Sequence, residues 1–421
     1  MKKVLYIAYL YPPISNSGTQ RSVKFTKHLS KFGWEPYVLT SSNPMGNNID
    51  NKLLDEIANV KNIIRVPLTS ELKVNKWTKK LPVTFAWFLE DKLVWRLREK
   101  KTFPDIYADW IEAATKEGIK RVKNENMDLI FSSGAPWSAF VVARNIANAT
   151  GKPFILDYRD LWTEACAQFG GKIISKEERN LELKILQEAN GIITVTESLR
   201  NIISGKMGLE DKNISVITNG YDEDEFNDIN KETKTNKKIK IGYIGVWKKN
   251  YNPKTLLQKY FQLSPHIKDK IEIVTAGFPK ENIQKISREF EKVTCHGYVS
   301  HSKAINLMEQ VDYLFLTVPD NDYANICLPG KVFEYLASDT SIIAFIERES
   351  ELWGFLEEHG GAILIDRKSE SGLEEQLEKI VQSNHIQIKS KNDIAIQKFE
   401  RKNLTKKLAA KMNAVVNNSQ K

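Results

Sequence analysis

Short apolar segments alternate with longer amphipathic segments along the whole chain of 421 residues. Several of the short segments, such as Phe154–Tyr158 and Tyr313–Val318, are nearly continuous apolar runs, which is typical of parallel strands buried on both faces of a sheet. The segments between them, such as Trp137–Ala149, have the composition and length of helices. This strand–helix–strand repeat predicts a doubly wound α/β fold.

The predicted strands fall into two series separated by a polar stretch. The first series comprises Val4–Tyr11, Pro36–Thr40, Ile63–Val66, Leu129–Ser133, Phe154–Tyr158, Gly191–Thr196 and Ser215–Thr218. The second comprises Ile239–Gly245, Ile271–Ala276, Val293–His296, Tyr313–Val318, Ser341–Ile346 and Ala362–Ile365. We therefore predict an N-terminal domain over residues 1–220, a linker over 221–238, a C-terminal domain over 239–392 and helical closure over 393–421.

One part of the first half, residues 68–110, departs from this pattern. Its tryptophans are interleaved with lysines and arginines, and they are Trp77, Trp87, Trp95 and Trp110. We expect an insertion with three competing interpretations: a helical core with ordinary solvated lysines, a nucleic-acid stacking surface, or a membrane-interface segment, where tryptophan and lysine are both favoured.

Charge and cysteine content narrow the classes of partner and compartment. The formal net charge of +9 favours anionic partners, which include nucleic acid, anionic membranes and phosphate-bearing substrates. Three cysteines without a C-x-x-C pair indicate neither a zinc site nor a disulfide framework, and they favour a reducing cytoplasm. The N-terminal apolar run ends at Pro12 and Pro13, so we interpret it as a buried first strand and not as a signal peptide.

Two groups of residues in the first half are candidates for a site. Gly18 and Arg21 lie where a turn opens a helix, and backbone N–H groups at a helix start attract phosphate or carboxylate. A plain turn explains this segment equally well. Asp157, Arg159 and Asp160 follow a buried strand, at the edge of an α/β sheet where ligands bind. Burying such charges is costly, so we favour a site there over an Asp–Arg pair that only ties the loop.

The segment Leu328–Ala337 in the second half carries the strongest candidate. Pro329 and Gly330 predict a turn, and a helix is predicted to begin at Lys331. A phosphate at that helix start would meet free N–H groups, the helix dipole and a lysine. Glu334 in the first turn is placed to accept two ribose hydroxyls, or only to complement the helix dipole.

Taken in order along the chain, these segments resemble a retaining glycosyltransferase of family four. The resemblance is to the bacterial branch that assembles capsule, exopolysaccharide and O-antigen. The matching segments are YPP, KFGWEPYVLT, SSGAPWS, ILDYRDLWTE, NGYDEDEF and GKVFEYLA. The resemblance implies the GT-B fold, which consists of two Rossmann-like domains with an interdomain cleft.

The resemblance also implies an activity and its partners. It implies transfer of a sugar, with retention, from a nucleotide-sugar donor (a UDP- or GDP-sugar) to a saccharide or lipid-linked saccharide acceptor. It implies no further cofactor, no metal and no nucleic-acid partner. The place of action would be the cytoplasm, peripherally at the inner face of the cell membrane. The acid-rich fragments at Asp222 and Asp320 are therefore not expected to bind metal.

Residue roles follow from the same resemblance. Glu334 would bind the ribose, while Ile326 stands where the family has a first glutamate. Val246 stands where the family has a phosphate-binding arginine, so Lys248 or Lys249 would take its place. Tyr298 and Val299 would lie beside the base, and Gly18 would lie over the donor phosphates. Lys331 belongs to the donor helix, and Arg159 stands where many relatives have histidine.

Three alternatives stay open on sequence grounds. A sugar-nucleotide epimerase of the same fold would need no acceptor. A non-catalytic scaffold is consistent with Ile326 and Val246. A nucleic-acid-binding protein is consistent with the sequence pI of about 9.1 and the aromatic content, although no nucleic-acid module is recognised.

Overall fold

The computed structural model describes residues 1–14, 17–42, 49–69, 103–164, 174–209, 212–226, 238–245, 253–277, 293–369, 371–383 and 396–419. Structural statements below refer to these residues. The chain divides into two compact units. The first unit comprises Met1–Thr218 and Leu404–Lys421, and the second comprises Asn219–Asn403.

A seven-stranded parallel sheet forms the centre of the first unit. Its strands are β1 Lys2–Ile7, β2 Trp34–Ser41, β3 Asn62–Val66, β4 Leu129–Gly134, β5 Phe154–Tyr158, β6 Gly191–Thr194 and β7 Ile214–Val216. They lie in the order β3-β2-β1-β4-β5-β6-β7. Val4 in the central strand pairs with both Pro36 and Leu129, and its side chain is fully buried. The apolar run of β1 is explained by this burial on both faces.

Helices cover the faces of this sheet. They are α1 Ser17–Leu29, α2 Lys52–Glu56, α3 Ile111–Asn124, α4 Ser138–Thr150, α5 Lys176–Glu188 and α6 Glu197–Asn201. The Ser175 side chain caps α5 by accepting a hydrogen bond from the Glu178 N–H at 3.1 Å. Gly151 ends α4 in the left-handed conformation, with φ +68°, which glycine adopts at little cost.

The second unit repeats this architecture with six parallel strands. They are β8 Ile239–Ile244, β9 Ile271–Ala276, β10 Val293–Cys295, β11 Tyr313–Thr317, β12 Ser341–Ile346 and β13 Ala362–Asp366, in the order β10-β9-β8-β11-β12-β13. Its helices are α7 Pro253–Gln262, α8 Pro265–Lys268, α9 His301–Gln310, α10 Asp322–Asn325, α11 Gly330–Ala337, α12 Glu351–His359 and α13 Gly372–Gln382.

The last helix, α14 Arg401–Ser419, contributes to the core of the first unit. Leu404, Leu408 and Met412 are buried against the strand residues Val4 and Leu129. From Leu404 onward the chain therefore belongs to the first unit, and the C-terminal segment completes a core that begins at residue 4.

The structure confirms the predicted α/β class with two doubly wound sheets, and it moves some boundaries. Strand β1 ends at Ile7 and not at Tyr11, while Tyr9 and Tyr11 stay buried in the segment that follows. Helix α11 begins at Gly330, one residue earlier than predicted. Residues 70–102 of the expected insertion and 227–237 of the expected linker lie outside the described residues.

Each sheet has one place where the direction of strand addition reverses. In the first unit it lies between β1 and β4, and in the second it lies between β8 and β11. Crevices at the carboxyl ends of such strand pairs are where open α/β sheets bind ligands.

Candidate active site

A buried ion pair joins helix α1 to strand β5 in the first unit. The Arg21 Nη2 lies 2.9 Å from Oδ1 of Asp157, and Arg21 Nε donates to both carboxylate oxygens at 3.2 and 3.0 Å. Both side chains are 0% exposed. Such a fork-shaped contact fixes the carboxylate in orientation as well as position.

Further hydrogen bonds complete the surroundings of this pair. Arg21 also donates to the carbonyl oxygens of Thr218 and Ile217 at 2.7 and 2.9 Å, and Ser133 Oγ donates to Asp157 Oδ2 at 2.8 Å. On sequence grounds Arg21 was a candidate, with Gly18, for a helix start that attracts phosphate or carboxylate. In the structure its guanidinium donates to the Asp157 carboxylate and to two backbone carbonyl oxygens. Arg21 and Asp157 therefore link helix α1 to strand β5.

Arg159 follows β5 at the same edge of the sheet and is partly exposed. Its Nε donates to the carbonyl oxygen of Gly134 at 2.8 Å, and its Nη2 donates to that of Ala135 at 3.2 Å. Its Nε lies 3.9 Å from Asp157 Oδ2, and its side chain is 13% exposed. A Cβ atom on Gly18 would lie 2.8 Å from Arg159 Nη1. The structure thus brings together Gly18 and Arg159, which are far apart in sequence.

Two buried glutamates, which the sequence interpretation missed, hold the loop that follows β5. Glu182 accepts hydrogen bonds from the hydroxyls of Tyr158 and Thr163, and Glu178 accepts one from the Trp162 indole N–H at 2.9 Å. Burial raises the pKa of Glu182 above its ordinary value. Glutamates four residues apart are common on exposed helix faces, so nothing in the sequence pattern marked this pair. Asp160, in contrast, is exposed at the surface of the loop.

Helix α11 begins at the carboxyl edge of the second sheet. Pro329 is its N-cap residue with extended backbone, and no side chain caps the helix. A Cβ atom on Gly330 would have no atom of the described residues within 4 Å, so these residues leave space beside the first turn. The first backbone N–H groups of a helix lack intrahelical acceptors, and together with the dipole they favour an anion.

Lys331 lies beside the end of the central strand of this sheet. Its Nζ is 4.6 Å from the centre of the Tyr243 ring and 3.5 Å from the Tyr243 hydroxyl oxygen. A Cβ atom on Gly245 would lie 3.6 Å from the same ammonium. The aromatic face holds the cation, and glycine at the strand end keeps the approach open.

Tyr335 fixes the orientation of α11 against β8. Its buried hydroxyl donates to the carbonyl oxygen of Ile244 at 2.8 Å and accepts from the Ile244 N–H at 3.3 Å. Burial raises the pKa of Tyr335 well above its ordinary value, so the hydroxyl stays neutral. Tyr335 was also absent from the sequence-based candidates, since a buried tyrosine in an amphipathic helix has the pattern of an ordinary core residue.

The other predicted site residues of the second unit differ in their solvent exposure. Glu334 follows Gly330 by one helical turn and is half-buried. Tyr298 is 60% exposed after a left-handed Gly297, while Val299 packs against the core. Lys248 and Lys249 lie outside the described residues.

The two acid-rich fragments have structural partners. Asp222 Oδ1 accepts a hydrogen bond from the Asp224 N–H at 3.3 Å and so caps a short 3₁₀ turn. Asp320 pairs with Arg367 at 3.4 Å, and Arg367 also donates to the carbonyl oxygen of Val318 at 2.9 Å. Both aspartates thus have roles in ordering loops.

Comparison with protein families identifies a domain in the first half of the chain. Residues 18–225 match the family described as Glycosyltransferase Family 4. The chain is a glycosyltransferase with a family 4 domain. The matched residues contain Gly18, Arg21, Asp157 and Arg159, whereas helix α11 follows them in the chain. No curated protein matches the sequence.

Solved structures share the fold of this glycosyltransferase. A sucrose-phosphate synthase from Thermosynechococcus elongatus has a TM-score of 0.60 at 12% identity, covering 99% of this chain and 97% of its own. A glycosyltransferase from Rickettsia africae has a TM-score of 0.56 at 13% identity, with coverages of 99% and 94%. A UDP-GlcNAc 2-epimerase from Methanocaldococcus jannaschii has a TM-score of 0.55 at 14% identity, with coverages of 98% and 100%. These likenesses establish the GT-B fold.

Proposed function

We propose that this glycosyltransferase moves a sugar from a UDP- or GDP-sugar to a saccharide or lipid-linked saccharide acceptor, with retention, in bacterial surface polysaccharide synthesis. The observation that carries the donor part is the open start of α11. There Gly330 leaves room for a phosphate, and Lys331 lies beside the end of β8. Lys248 or Lys249 would add positive charge from the loop that follows the same strand.

The proposed chemistry explains why cations belong at this edge. The bond between the anomeric carbon and the diphosphate oxygen breaks, and the diphosphate leaves with the electron pair. The acceptor oxygen forms the new bond to the anomeric carbon and releases its proton. Negative charge grows on the leaving phosphate, so preorganised N–H donors and the Lys331 ammonium lower the barrier.

Donor recognition is assigned to the same helix. Glu334 would accept the two ribose hydroxyls one turn beyond the phosphate, and Tyr298 with Val299 would lie along the base. In the first unit, Arg159, Gly18 and Asp160 are the candidate residues for the acceptor side of the reaction. We place the enzyme in the cytoplasm, at the inner face of the cell membrane, where a lipid-linked acceptor is accessible. Among the described residues no helix is both long and apolar enough to cross a bilayer.

A thermal-shift panel with UDP, GDP, ADP, CMP and their sugar conjugates tests the donor site. A ligand at 100 times its Kd stabilises the folded protein by about 2.7 kcal/mol. We expect one nucleotide to stabilise the wild type and not Glu334→Ala. Glu351→Ala is a matched control, because Glu351 lies in the first turn of α12. Absence of any shift in folded wild-type protein would refute the proposal.

Product analysis separates transfer from epimerisation. An epimerase interconverts the nucleotide sugar without an acceptor, whereas a transferase releases nucleoside diphosphate only when the sugar is transferred or hydrolysed. NMR of the anomeric proton of the product reports the configuration directly. An inverted product would overturn retention and leave the transferase assignment intact.

A further inference from the structure

Glu347 is the first residue after strand β12, at the carboxyl edge of the second sheet where α11 also begins. Asn325, the last residue of α10, donates a hydrogen bond from its Nδ2 to Glu347 Oε2 at 3.1 Å. Lys368 Nζ lies 3.4 Å from that same oxygen. Two neighbours on different segments therefore hold the Glu347 carboxylate in one orientation.

The other carboxylate oxygen of Glu347 is available to a ligand. Both contacts above are made by Oε2, and Oε1 has no hydrogen-bond or ionic partner among the described residues. The side chain is 17% exposed, so the carboxylate has given up much of its contact with water. A carboxylate oxygen accepts two hydrogen bonds, and one that is largely removed from water gains from a ligand that donates to it.

The order of the strands sets the distance between this carboxylate and Lys331. Strands β8, β11 and β12 are neighbours in that order, and Lys331 lies against Tyr243 near the end of β8. Adjacent strands are about 4.8 Å apart, so the ends of β8 and β12 are separated by roughly 10 Å. A sugar whose phosphate binds beside Lys331 can therefore reach Glu347 across the end of β11.

The hydrogen bond from Asn325 also places Glu347 beside the connection between α10 and α11. This connection runs from Ile326 to Pro329 and contains no charged side chain. Leu328 within it is buried in the apolar core. The connection itself thus offers no carboxylate to a ligand at the start of α11, and the adjacent strand β12 supplies one.

We propose that Glu347 binds hydroxyl groups of the sugar that the donor carries, through its Oε1. The end of β12 then forms a sugar subsite next to the phosphate subsite at the start of α11. The inference rests on the proposed function, and it adds the residue that recognises the sugar and the class of sugar. Hydroxyl groups that donate to an ionised acceptor form stronger hydrogen bonds than those that donate to a neutral one.

The charge of Glu347 selects among donor sugars. A neutral hexose or N-acetylhexosamine offers hydroxyl donors to Oε1. A uronate would bring a second carboxylate against Glu347, and like charges in contact repel. Lys368 does not offset this repulsion, because its Nζ already lies 3.4 Å from Glu347 and 3.6 Å from Glu349. The subsite therefore favours a neutral donor sugar.

Titration calorimetry of the full chain tests the sugar subsite separately from the phosphate subsite. The ligands are UDP, UDP-glucose, UDP-N-acetylglucosamine and UDP-glucuronate, with GDP and GDP-mannose alongside. Glu347→Gln keeps the size of the side chain and removes its charge. This variant should bind the neutral conjugate that the wild type prefers about 10-fold more weakly. Its Kd for free UDP or GDP should equal that of the wild type.

Two variants of neighbouring residues serve as controls. Glu349 also lies beside Lys368 but is 72% exposed, so Glu349→Gln should leave every Kd unchanged. Lys368→Gln removes the cation that the two glutamates share and keeps the Glu347 carboxylate. Binding of the neutral conjugate should therefore persist in Lys368→Gln.

Several results would overturn the sugar subsite. Glu347→Gln could change the Kd of the conjugate and of the free nucleotide by the same factor, or change neither. Lys368→Gln could reproduce the loss seen in Glu347→Gln, which would assign the effect to the ion pair. The wild type could bind UDP-glucuronate more tightly than every neutral conjugate, or bind free UDP or GDP and no conjugate. A wild type that binds none of the ligands would instead show that the proposed function itself has failed.

Discussion

Arg21 and Asp157 form a bidentate ion pair without any solvent exposure, with Nη2 2.9 Å from Oδ1 and Nε 3.0 Å from Oδ2. The pair connects the helix after the first strand to the end of the fifth strand, and the carbonyl oxygens of Ile217 and Thr218 take further guanidinium donors. A lysine cannot supply this planar set of donors. The contact holds together the edge of the sheet at which Arg159 is presented.

Removal of the guanidinium should destabilise the first unit strongly. Arg21→Met leaves Asp157 buried without its main partner, and breaking a buried pair in this way costs about 3–5 kcal/mol. Urea denaturation measures the change. Arg200→Met is the control, because Arg200 forms an exposed pair with Glu197 and its loss should cost below ~1 kcal/mol. Equal destabilisation by the two variants would contradict the structural role of Arg21.

Gly18→Ala should impair turnover more than folding. The new methyl group would lie within 2.8–2.9 Å of the Arg159 guanidinium nitrogens, so this flexible side chain must move. Misplacement of a group at a reacting centre costs roughly 10- to 100-fold in rate. The transfer rate and the thermal midpoint are measured together. Gly205→Ala, whose Cβ would meet no described atom within 4 Å, should change neither. An unchanged rate in Gly18→Ala would exclude Arg159 from the site.

Gly330→Ala should separate stability from donor binding. No atom of the described part of the chain lies within 4 Å of the added Cβ, and alanine restricts the unfolded chain, so the folded state gains about 0.4–1 kcal/mol. The same methyl group occupies the space through which a phosphate would reach the helix start, so the nucleotide Kd should rise. Titration calorimetry measures the Kd. Gly354→Ala in α12 is equally unobstructed and should leave nucleotide binding unchanged. An unaltered nucleotide Kd in Gly330→Ala would show that the donor phosphate does not bind at this helix start.

Lys411 should make the free energy of unfolding depend on pH between about 8 and 10.5. Burial lowers the pKa of Lys411 from 10.5 to about 8. Between these two values the folded state binds fewer protons than the unfolded state, so the free energy of unfolding rises with pH. Lys411→Met should abolish the rise, while Lys407→Met, on the exposed side of α14, should keep it. Urea denaturation across this range decides, and a rise that persists in Lys411→Met would contradict the assignment.

The strands and the fold class were predictable because the burial of a strand is reflected in its local pattern of apolar residues. Each buried parallel strand is a short apolar run, and each covering helix has its own period, so thirteen strands were placed with small boundary errors. The position of Gly330 and Lys331 at a helix start followed from the turn chemistry of Pro329. These signals lie within a few residues of each other in sequence.

The partners of the site residues were decided by tertiary structure alone. Arg21 and Asp157 are 136 residues apart, and Lys331 and Tyr243 are 88 apart, so no local pattern connects them. Within each unit the sheet order brings the two members of a pair together, and in the first unit this places Arg21 in a buried ion pair and Arg159 beside that pair at the end of β5. By itself the sequence determined which segments are strands and helices, because periodicity is local. The tertiary structure decided which charges meet, because strand order joins residues that are distant along the chain.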